Sequence, residues 1–337
     1  MEKTMDIRIA PAVQASNGAL AKKGMWLGLA AGVLWGLDGV LMGINLTLEP
    51  FSNHISPLTV VLVGACIHDG FAGLWVLLTN LVNGGWQEYR RVLQTKKAGI
   101  VVLAGIMGGP VGMSANLLGI HLAGAGCAAA ITAAYPAIGA ILGAIFLKER
   151  IPLRVWVGIL LSMLGAGMIG YLPPAGNVPA FYVGIGFSML AAVGWALEGV
   201  ISTYGMHAIN PDIAVGIRKA TSFLVFLIVI FPLLGEIPYQ VLIEALTAKA
   251  FWYIAVTALA GAGSYLMWYR AMHLIGVGRA MSLNITYVLW AIFFEWLFSG
   301  LQLTIALFLG AVIIIIGTLF VVSNPEKSCY KLAHRAQ

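Results

Sequence analysis

Charged residues are scarce in this sequence. Asp, Glu, Lys and Arg together make up 9% of its 337 residues, whereas 60% are hydrophobic. A typical soluble domain carries about 25% charged residues, so the composition excludes an ordinary soluble protein. For the same reason the net charge of +6 does not indicate nucleic-acid binding, and we expect no nucleic-acid partner. The chain is expected to be a helical membrane protein surrounded by a lipid bilayer.

Groupings of residues that support catalysis are also missing. The three cysteines are odd in number and far apart, so they indicate neither a disulfide framework nor a metal site. His68, His121 and His273 fall on separate predicted helices, and no Ser/His/Asp or metal-ligand spacing joins them. We therefore predict that the protein is not an enzyme and uses no metal or cofactor. Residues 1–23 are polar and lack a signal-peptide core, so the first apolar run is the predicted insertion signal.

Long apolar runs, in contrast, are abundant. Ten runs have about the 20 residues that an α-helix needs to cross a bilayer. They lie near residues 24–45, 57–83, 98–121, 125–147, 153–172, 182–204, 213–235, 250–274, 278–300 and 302–323. The sequence contains 41 glycines, mostly inside these runs, where they allow close helix packing. We predict an all-α membrane protein with ten transmembrane helices.

Basic residues are concentrated on one predicted side of the membrane. Fifteen of the 19 Lys and Arg residues fall in the two termini and in alternate loops, and the opposite loops hold Lys249 alone. The positive-inside rule therefore predicts that the N and C termini are both cytoplasmic. The remaining three, Arg218, Lys219 and Arg270, fall within predicted spans. We expect a multi-pass protein of the bacterial inner membrane.

The two halves of the chain repeat each other. Trp35-Gly-Leu-Asp38 returns 160 residues later as Trp195-Ala-Leu-Glu198. Further along the offset is 152, which aligns four more pairs. They are His121 with His273, Tyr135 with Tyr287, Gly158 with Gly310 and Gly165 with Gly317. Five spans per repeat is an odd number, so the second copy is inserted upside down. Inverted repeats are typical of secondary transporters.

The repeat divides the chain into five predicted segments. They are a cytoplasmic N-terminal tail (1–23), a first five-helix repeat (24–172), an external linker (173–181), a second repeat (182–323) and a cytoplasmic C-terminal tail (324–337). The two acid-bearing helices, the first and the sixth, are predicted to pack against each other. Helices 3, 4, 8 and 9 are predicted to surround them. Helices 5 and 10 carry almost no polar residues, so they form either the periphery or a homodimer interface.

Aromatic residues gather at one predicted depth. A rise of about 1.5 Å per helical residue places six of them near the membrane midplane. They are Trp35, Tyr135, Trp195, Tyr265, Tyr287 and Trp290. In the repeated motif the Trp and the acid are one turn apart and share a helix face. A carboxylate at membrane depth marks a functional site, and a ring face attracts a cation without hydrogen-bond donors. Packing and an interfacial aromatic belt are the alternative roles for each ring.

Ionisable residues within the spans suggest coupling or gating. The candidates are Asp38, His68, Asp69 and Arg218. His68-Asp69 is either a hydrogen-bonded pair between helices or a proton-linked element, and Asp38 is either functional or a relic of duplication. A proton exchanged among His68, Asp69 and Glu198 is one hypothesis for coupling to substrate.

Glu198 and its predicted neighbours also leave two interpretations open. Glu198 is either the counter-charge of a bound cation or a structural carboxylate, which pairs with Arg218 or snorkels toward the inner surface. Arg218-Lys219 lie near the predicted cytoplasmic end of their helix, where long side chains can snorkel to the surface.

The ten-helix architecture, together with Lys148-Glu149-Arg150 at the end of helix 4, resembles the EamA type of the drug/metabolite transporter superfamily. A closer resemblance is to the LicB-type choline transporters of bacteria. Its motifs are Gly109-Pro-Val-Gly-Met113 with Ala115-Asn116-Leu117, Tyr135-Pro-Ala-Ile138, Trp195 with Glu198, Ile217-Arg218 with Thr221-Ser222-Phe223, Ser264-Tyr265-Leu266, Leu283-Asn284 with Tyr287-Val-Leu-Trp290, and His68-Asp69.

This resemblance implies uptake of choline, or of a related quaternary ammonium, by alternating access. It implies an aromatic cage closed by a carboxylate, with six residues as substrate contacts. They are Trp35, Trp195, Glu198, Tyr265, Tyr287 and Trp290, to which the depth argument adds Tyr135. Asp38 and Lys219 have no counterpart in the family pattern. The alternative function on this architecture is export of amino acids or another small metabolite, with Arg218 as the partner of a substrate carboxylate.

Overall fold

The computed structural model of this protein describes residues 11–54, 56–170 and 180–323, without the side chains of residues 11–17, 125 and 126. The predicted C-terminal tail, most of the predicted linker and residues 1–10 of the predicted N-terminal tail lie outside the described residues. The described parts are helical, with ten helices long and apolar enough to cross a membrane. This confirms the predicted all-α membrane fold and its count of ten spans.

We number these helices spans 1 to 10. They are Gly18–Asn45, Pro57–Val82, Lys96–Ala123, Cys127–Phe146, Leu153–Gly170, Phe181–Gly205, Pro211–Leu234, Lys249–Ile275, Val277–Ser299 and Ile305–Val322. The helix containing span 1 begins earlier, at Pro11, because proline suits the first helical position and the alanines that follow are strong helix formers. Two short helices, Trp86–Leu93 and Ile237–Thr247, lie outside the spans.

Four spans are interrupted. Span 3 consists of helices Lys96–Ile106 and Gly112–Ala123 on either side of a π-helical turn, Met107–Val111. Span 7 has a second π turn at Phe226–Ile230. Span 4 breaks before Tyr135, and span 9 breaks before Tyr287. Interrupted backbone at membrane depth is tolerated where it is buried in protein or lines a cavity, so the breaks in spans 3, 4 and 9 indicate the interior of the bundle.

The packing of the spans shows an internal two-fold relation. Span 1 packs along spans 8 and 9 of the second repeat, and span 6 packs along spans 3 and 4 of the first. Spans 2 and 7 pack on each other, as do spans 5 and 10. Each contact between the repeats therefore has a counterpart with the repeats exchanged, as two inverted copies require.

The prediction that spans 1 and 6 pack against each other was wrong: within the described residues, span 1 follows spans 8 and 9 instead. The reason is a row of glycines every four residues along span 1. Gly28 lies against Leu283, and Gly36 lies against the backbone of span 9 at Tyr287. Small residues at this spacing let two helix backbones approach closely, and the row faces span 9 rather than span 6.

Spans 5 and 10 are outermost, as predicted, and they are joined by glycines. A Cβ atom at Gly158 would overlap the carbonyl oxygen of Gly317, and one at Gly165 would overlap that of Gly310. The pairing is antiparallel, since the order of the partners reverses along the chain. The outer faces of both helices carry exposed apolar side chains, among them Leu160 and Phe308.

Candidate functional site

A cluster of buried charged residues lies at the junction of spans 1, 2, 6 and 7. Its six members, which we call the charge cluster, are Asp38, His68, Asp69, Glu198, Arg218 and Lys219. Each is no more than 8% exposed. Arg218 and Lys219 do not snorkel to the surface, which was one of the roles left open by the sequence, because they are only 2% and 1% exposed. Glycines of spans 3 and 2, Gly105 and Gly73, lie against Arg218 and Lys219, so span 7 packs with this face inward.

Asp69 lies between three cationic or titratable partners. Lys219 Nζ donates to its Oδ1 at 2.5 Å, and Arg218 Nη1 donates to its Oδ2 at 3.1 Å. His68 Nδ1 is 3.4 Å from Oδ1, whereas its other ring nitrogen, Nε2, is 2.8 Å from Asp38 Oδ1. The imidazole of His68 therefore bridges two carboxylates, one from span 1 and one from its own span.

Glu198 is fully buried and paired inside the protein. Arg218 donates from Nε to Oε1 at 2.7 Å and from Nη2 to Oε2 at 3.4 Å. Tyr269 donates to Oε1 at 3.1 Å, and the hydroxyls of Tyr269 and Ser202 are 2.8 Å apart. Of the interpretations left open by the sequence, the pairing of Glu198 with Arg218 is the one present in this structure.

The charges of the cluster do not balance without a further positive charge. Three carboxylates face two basic side chains, Arg218 and Lys219, and one net negative charge is left when these five groups are ionised and His68 is neutral. Burying an uncompensated charge is costly. A proton on His68 or a bound monovalent cation would each neutralise the cluster, so the arrangement can accept one positive charge in two alternative ways.

Tyr265 joins the charge cluster to a group of aromatic rings. Lys219 Nζ lies 4.0 Å and Arg218 Cζ 4.4 Å from the centroid of its ring. Its hydroxyl accepts a hydrogen bond from Arg218 Nη2 at 2.8 Å. Trp35 and Trp268 meet the same ring edge to face, with centroids 5.4 Å and 5.7 Å away. The Tyr265 ring is therefore already in contact with cations, as the quadrupole of an aromatic ring favours.

Tyr135 and Trp195 form a second aromatic pair, with ring centroids 6.2 Å apart. Trp195 Nε1 donates to the carbonyl of Gly108 at 3.1 Å, in the π turn of span 3. Pro110 lies in this turn; proline has no backbone N–H and interrupts the α-helical hydrogen bonding. The hydroxyl of Tyr135 accepts from Asn284 Nδ2 at 3.4 Å. The second pair is thus positioned by the interruption of span 3.

The structure does not bring every predicted substrate contact close to the charge cluster. Trp290 is 36% exposed, and its ring contacts Phe293 on the same helix, 6.2 Å between centroids. Tyr287, at the break of span 9, is half-buried against span 1 near Gly36. Of the predicted aromatics, Tyr265 contacts the charge cluster directly, and Trp35 packs on the Tyr265 ring.

One partner of Glu198 was missed by sequence reasoning. Tyr269 hydrogen-bonds this carboxylate, yet the sequence showed it as one more aromatic residue on a helix rich in them. A signal was present, because Tyr269 follows Tyr265 by four residues and so shares its helix face. Lys219 was noted as a departure from the family pattern, but its place on the Tyr265 ring was not foreseen.

A groove opens between spans 1 and 9, at the end of the bundle where both helices terminate. Its volume is about 420 Å³. The lining residues are Gly39, Val40, Gly43, Ile44, Thr47, Ala291, Glu295 and Ser299. Among the described residues, no atom of a neighbouring residue lies within 4 Å of a Cβ built at Gly39. At the equivalent glycine 160 residues later, Gly199, a Cβ would overlap Met281. The two ends of the bundle are therefore packed differently.

Comparisons with known proteins agree with this architecture. The EamA-like transporter family matches residues 22–171 and 182–323. Protein LicB of Haemophilus influenzae is 27% identical over 273 residues, which are 80% of this chain and 87% of LicB. A solved crystal structure has the same fold, with a TM-score of 0.68 and 18% sequence identity. The match covers 89% of this chain and 96% of the chain in that structure.

Proposed function

This chain belongs to the EamA-like transporter family, and we propose that as a membrane transporter it takes up choline or a related quaternary ammonium by alternating access. The observation that carries the proposal is the contact of Tyr265 with cationic groups at 4.0 and 4.4 Å. This ring belongs to a buried aromatic group beside three carboxylates. A quaternary ammonium has no hydrogen-bond donors, so ring faces and counter-charge are the groups that can select it.

The net charge of the cluster supports a monovalent cation as substrate. One negative charge is left uncompensated while His68 is neutral, and a choline ion carries one positive charge. The same count supports a link between substrate and proton, since a proton on His68 neutralises the cluster equally well. Binding of the cation should then release a proton from His68 when the histidine is charged beforehand.

The contacts of Arg218 support export of an amino acid less well than uptake of a cation. A substrate carboxylate would need donors from this guanidinium. Its Nε, Nη1 and Nη2 groups already donate to Glu198, Asp69 and the Tyr265 hydroxyl. Arg218 is therefore engaged as a structural cation.

Alternating access is supported by the difference between Gly39 and Gly199. The groove at Gly39 is open, and the equivalent region at Gly199 is closed by methionines. We propose that both termini are cytoplasmic, since most basic residues lie on their side, and that the membrane is a bacterial inner membrane. The groove then faces the exterior, which is the orientation in which an uptake system receives its substrate.

Uptake by purified protein in proteoliposomes tests the proposed function. Radiolabelled choline should enter in a saturable way, and unlabelled betaine or carnitine should compete, whereas amino acids and polyamines should not. Tyr265→Leu should lose most of this uptake, because cation–π contacts contribute about 0.5–2 kcal/mol each. Saturable transport of an amino acid without transport of any quaternary ammonium would contradict the proposal and favour the exporter.

A further inference from the structure

Lys219 occupies the position that a bound ammonium would need. Its Nζ lies 2.5 Å from a carboxylate oxygen of Asp69 and 4.0 Å from the centroid of the Tyr265 ring. A counter-charge and a ring face are the two contacts that recognise an organic cation. The side chain is 1% exposed, so its ammonium is held in the interior by these contacts rather than by water.

The side chain of Lys219 is long enough for its ammonium to move away from the Tyr265 ring. Lysine carries its charge on a flexible four-carbon stem with three rotatable donors. The Cβ end of Lys219 is fixed by the packing of span 7 on Gly73 of span 2. The head can turn away from Tyr265 while it keeps a hydrogen bond to Asp69, whose two oxygens accept from Lys219 and Arg218.

From this geometry, and resting on the proposed function, we infer that Lys219 is a tethered competitor of the substrate for the Tyr265 ring. It covers the ring when no substrate is bound, and an incoming quaternary ammonium displaces it. A group tethered by a short flexible chain acts at an effective concentration of about millimolar or more. Lys219 therefore weakens substrate affinity and returns to the ring as the substrate leaves, which favours release.

Two variants separate competition for the ring from simple electrostatics. Lys219→Met removes the competitor but also makes the cluster more negative by one charge, which by itself attracts cations. The double variant Asp38→Asn with Lys219→Met removes one cation and one anion, so the net charge of the cluster is that of the wild type and Asp69 remains as the counter-charge. In this double variant Asp69 keeps the hydrogen bond from Arg218 and the contact with His68.

The dissociation constant of choline, measured by calorimetry on the purified full chain, is the readout. Both variants should bind choline about two- to thirtyfold more tightly than the wild type, which corresponds to one cation–π contact. Choline should also dissociate more slowly from both. A matched control is the ion pair of Asp212 and Arg270, 2.5 Å apart on spans 7 and 8. Asp212→Asn with Arg270→Met should leave choline affinity unchanged.

Three outcomes distinguish the possibilities. A double variant that folds and binds choline no more tightly than the wild type overturns the inference, with the proposed function intact. Loss of betaine binding in Lys219→Met, with choline binding unchanged, also overturns it and makes Lys219 a partner for substrate carboxylates. A wild-type protein that binds no quaternary ammonium contradicts the proposed function itself.

Discussion

Asp69 and Lys219 lie 150 residues apart, at matching places in the two repeats, and they bind each other at 2.5 Å. Ile67-His68-Asp69 on span 2 corresponds to Ile217-Arg218-Lys219 on span 7. The preceding residues, His68 and Arg218, also have corresponding partners, because His68 binds Asp38 in the first repeat and Arg218 binds Glu198 in the second. The duplicated chain has thus placed an acidic copy and a basic copy of one position face to face, and the ion pairs join the two repeats.

Replacement of Glu198 by Gln should weaken choline binding. Gln keeps the shape of the side chain but removes the charge that balances Arg218, so the cluster becomes less negative. A loss on the order of 1–3 kcal/mol, or about tenfold to a hundredfold in affinity, is expected when one charge of the cluster is removed. Calorimetry on purified protein measures it, with Glu88→Gln, which alters an exposed pair with Arg91, as the control. Unchanged affinity in folded Glu198→Gln would show that the charge of Glu198 does not contribute to cation binding.

Replacement of His68 by Gln should remove the pH dependence of choline binding. In the wild type, a proton on His68 and a choline ion both neutralise the same single negative charge. They should therefore compete, so that choline affinity increases with rising pH as His68 loses its proton. Gln cannot take up the proton, and affinity in this variant should be nearly constant. Equal pH dependence in both proteins would assign the proton to another group.

A methyl group at Gly108 should disturb the site through Glu198. A Cβ at this position would overlap the Glu198 carboxylate, because the π turn of span 3 lies directly against it. Gly108→Ala should cost about 1–3 kcal/mol of stability through overpacking and weaken choline binding. Gly99→Ala on the same span is the control, since among described residues nothing lies within 4 Å of its Cβ. Normal binding by Gly108→Ala would mean that Glu198 can shift without consequence.

Glu149 should make stability depend on pH. Its carboxylate accepts hydrogen bonds from the backbone N–H groups of Val277 at 2.7 Å and Gly278 at 3.3 Å, at the start of span 9. Burial of this carboxyl raises its pKa above the ordinary value of 4.5, and the two hydrogen bonds only partly oppose the increase. The folded protein therefore binds the proton more tightly than the unfolded chain, and stability should fall as the pH rises from 4.5 through the raised pKa.

Thermal unfolding of the wild type and of Glu149→Gln at several pH values tests this expectation. Gln resembles the protonated carboxyl and does not titrate. The Tm of the wild type should therefore fall relative to that of Glu149→Gln as the pH increases. A difference in Tm that stays constant with pH would show that Glu149 does not titrate differently in the folded and unfolded states.

Membrane spans and the repeat could be predicted because they depend on local properties of the chain. A run of about 20 apolar residues crosses a bilayer whatever its neighbours are. The repeated Trp-acid motif is also recognisable in the sequence itself. The count of ten helices and the outer position of spans 5 and 10 followed from these properties alone.

The partners of the buried charges were decided by tertiary structure. The sequence left several interpretations open for Glu198 and for Arg218, because pairing depends on how each helix is rotated about its axis. Close packing of span 7 on Gly73 and Gly105 turns Arg218 and Lys219 inward. Hydrophobicity alone therefore determined that this chain forms ten membrane helices. The contacts between glycines and neighbouring helices determined which charges meet, since backbones can approach only where side chains leave room.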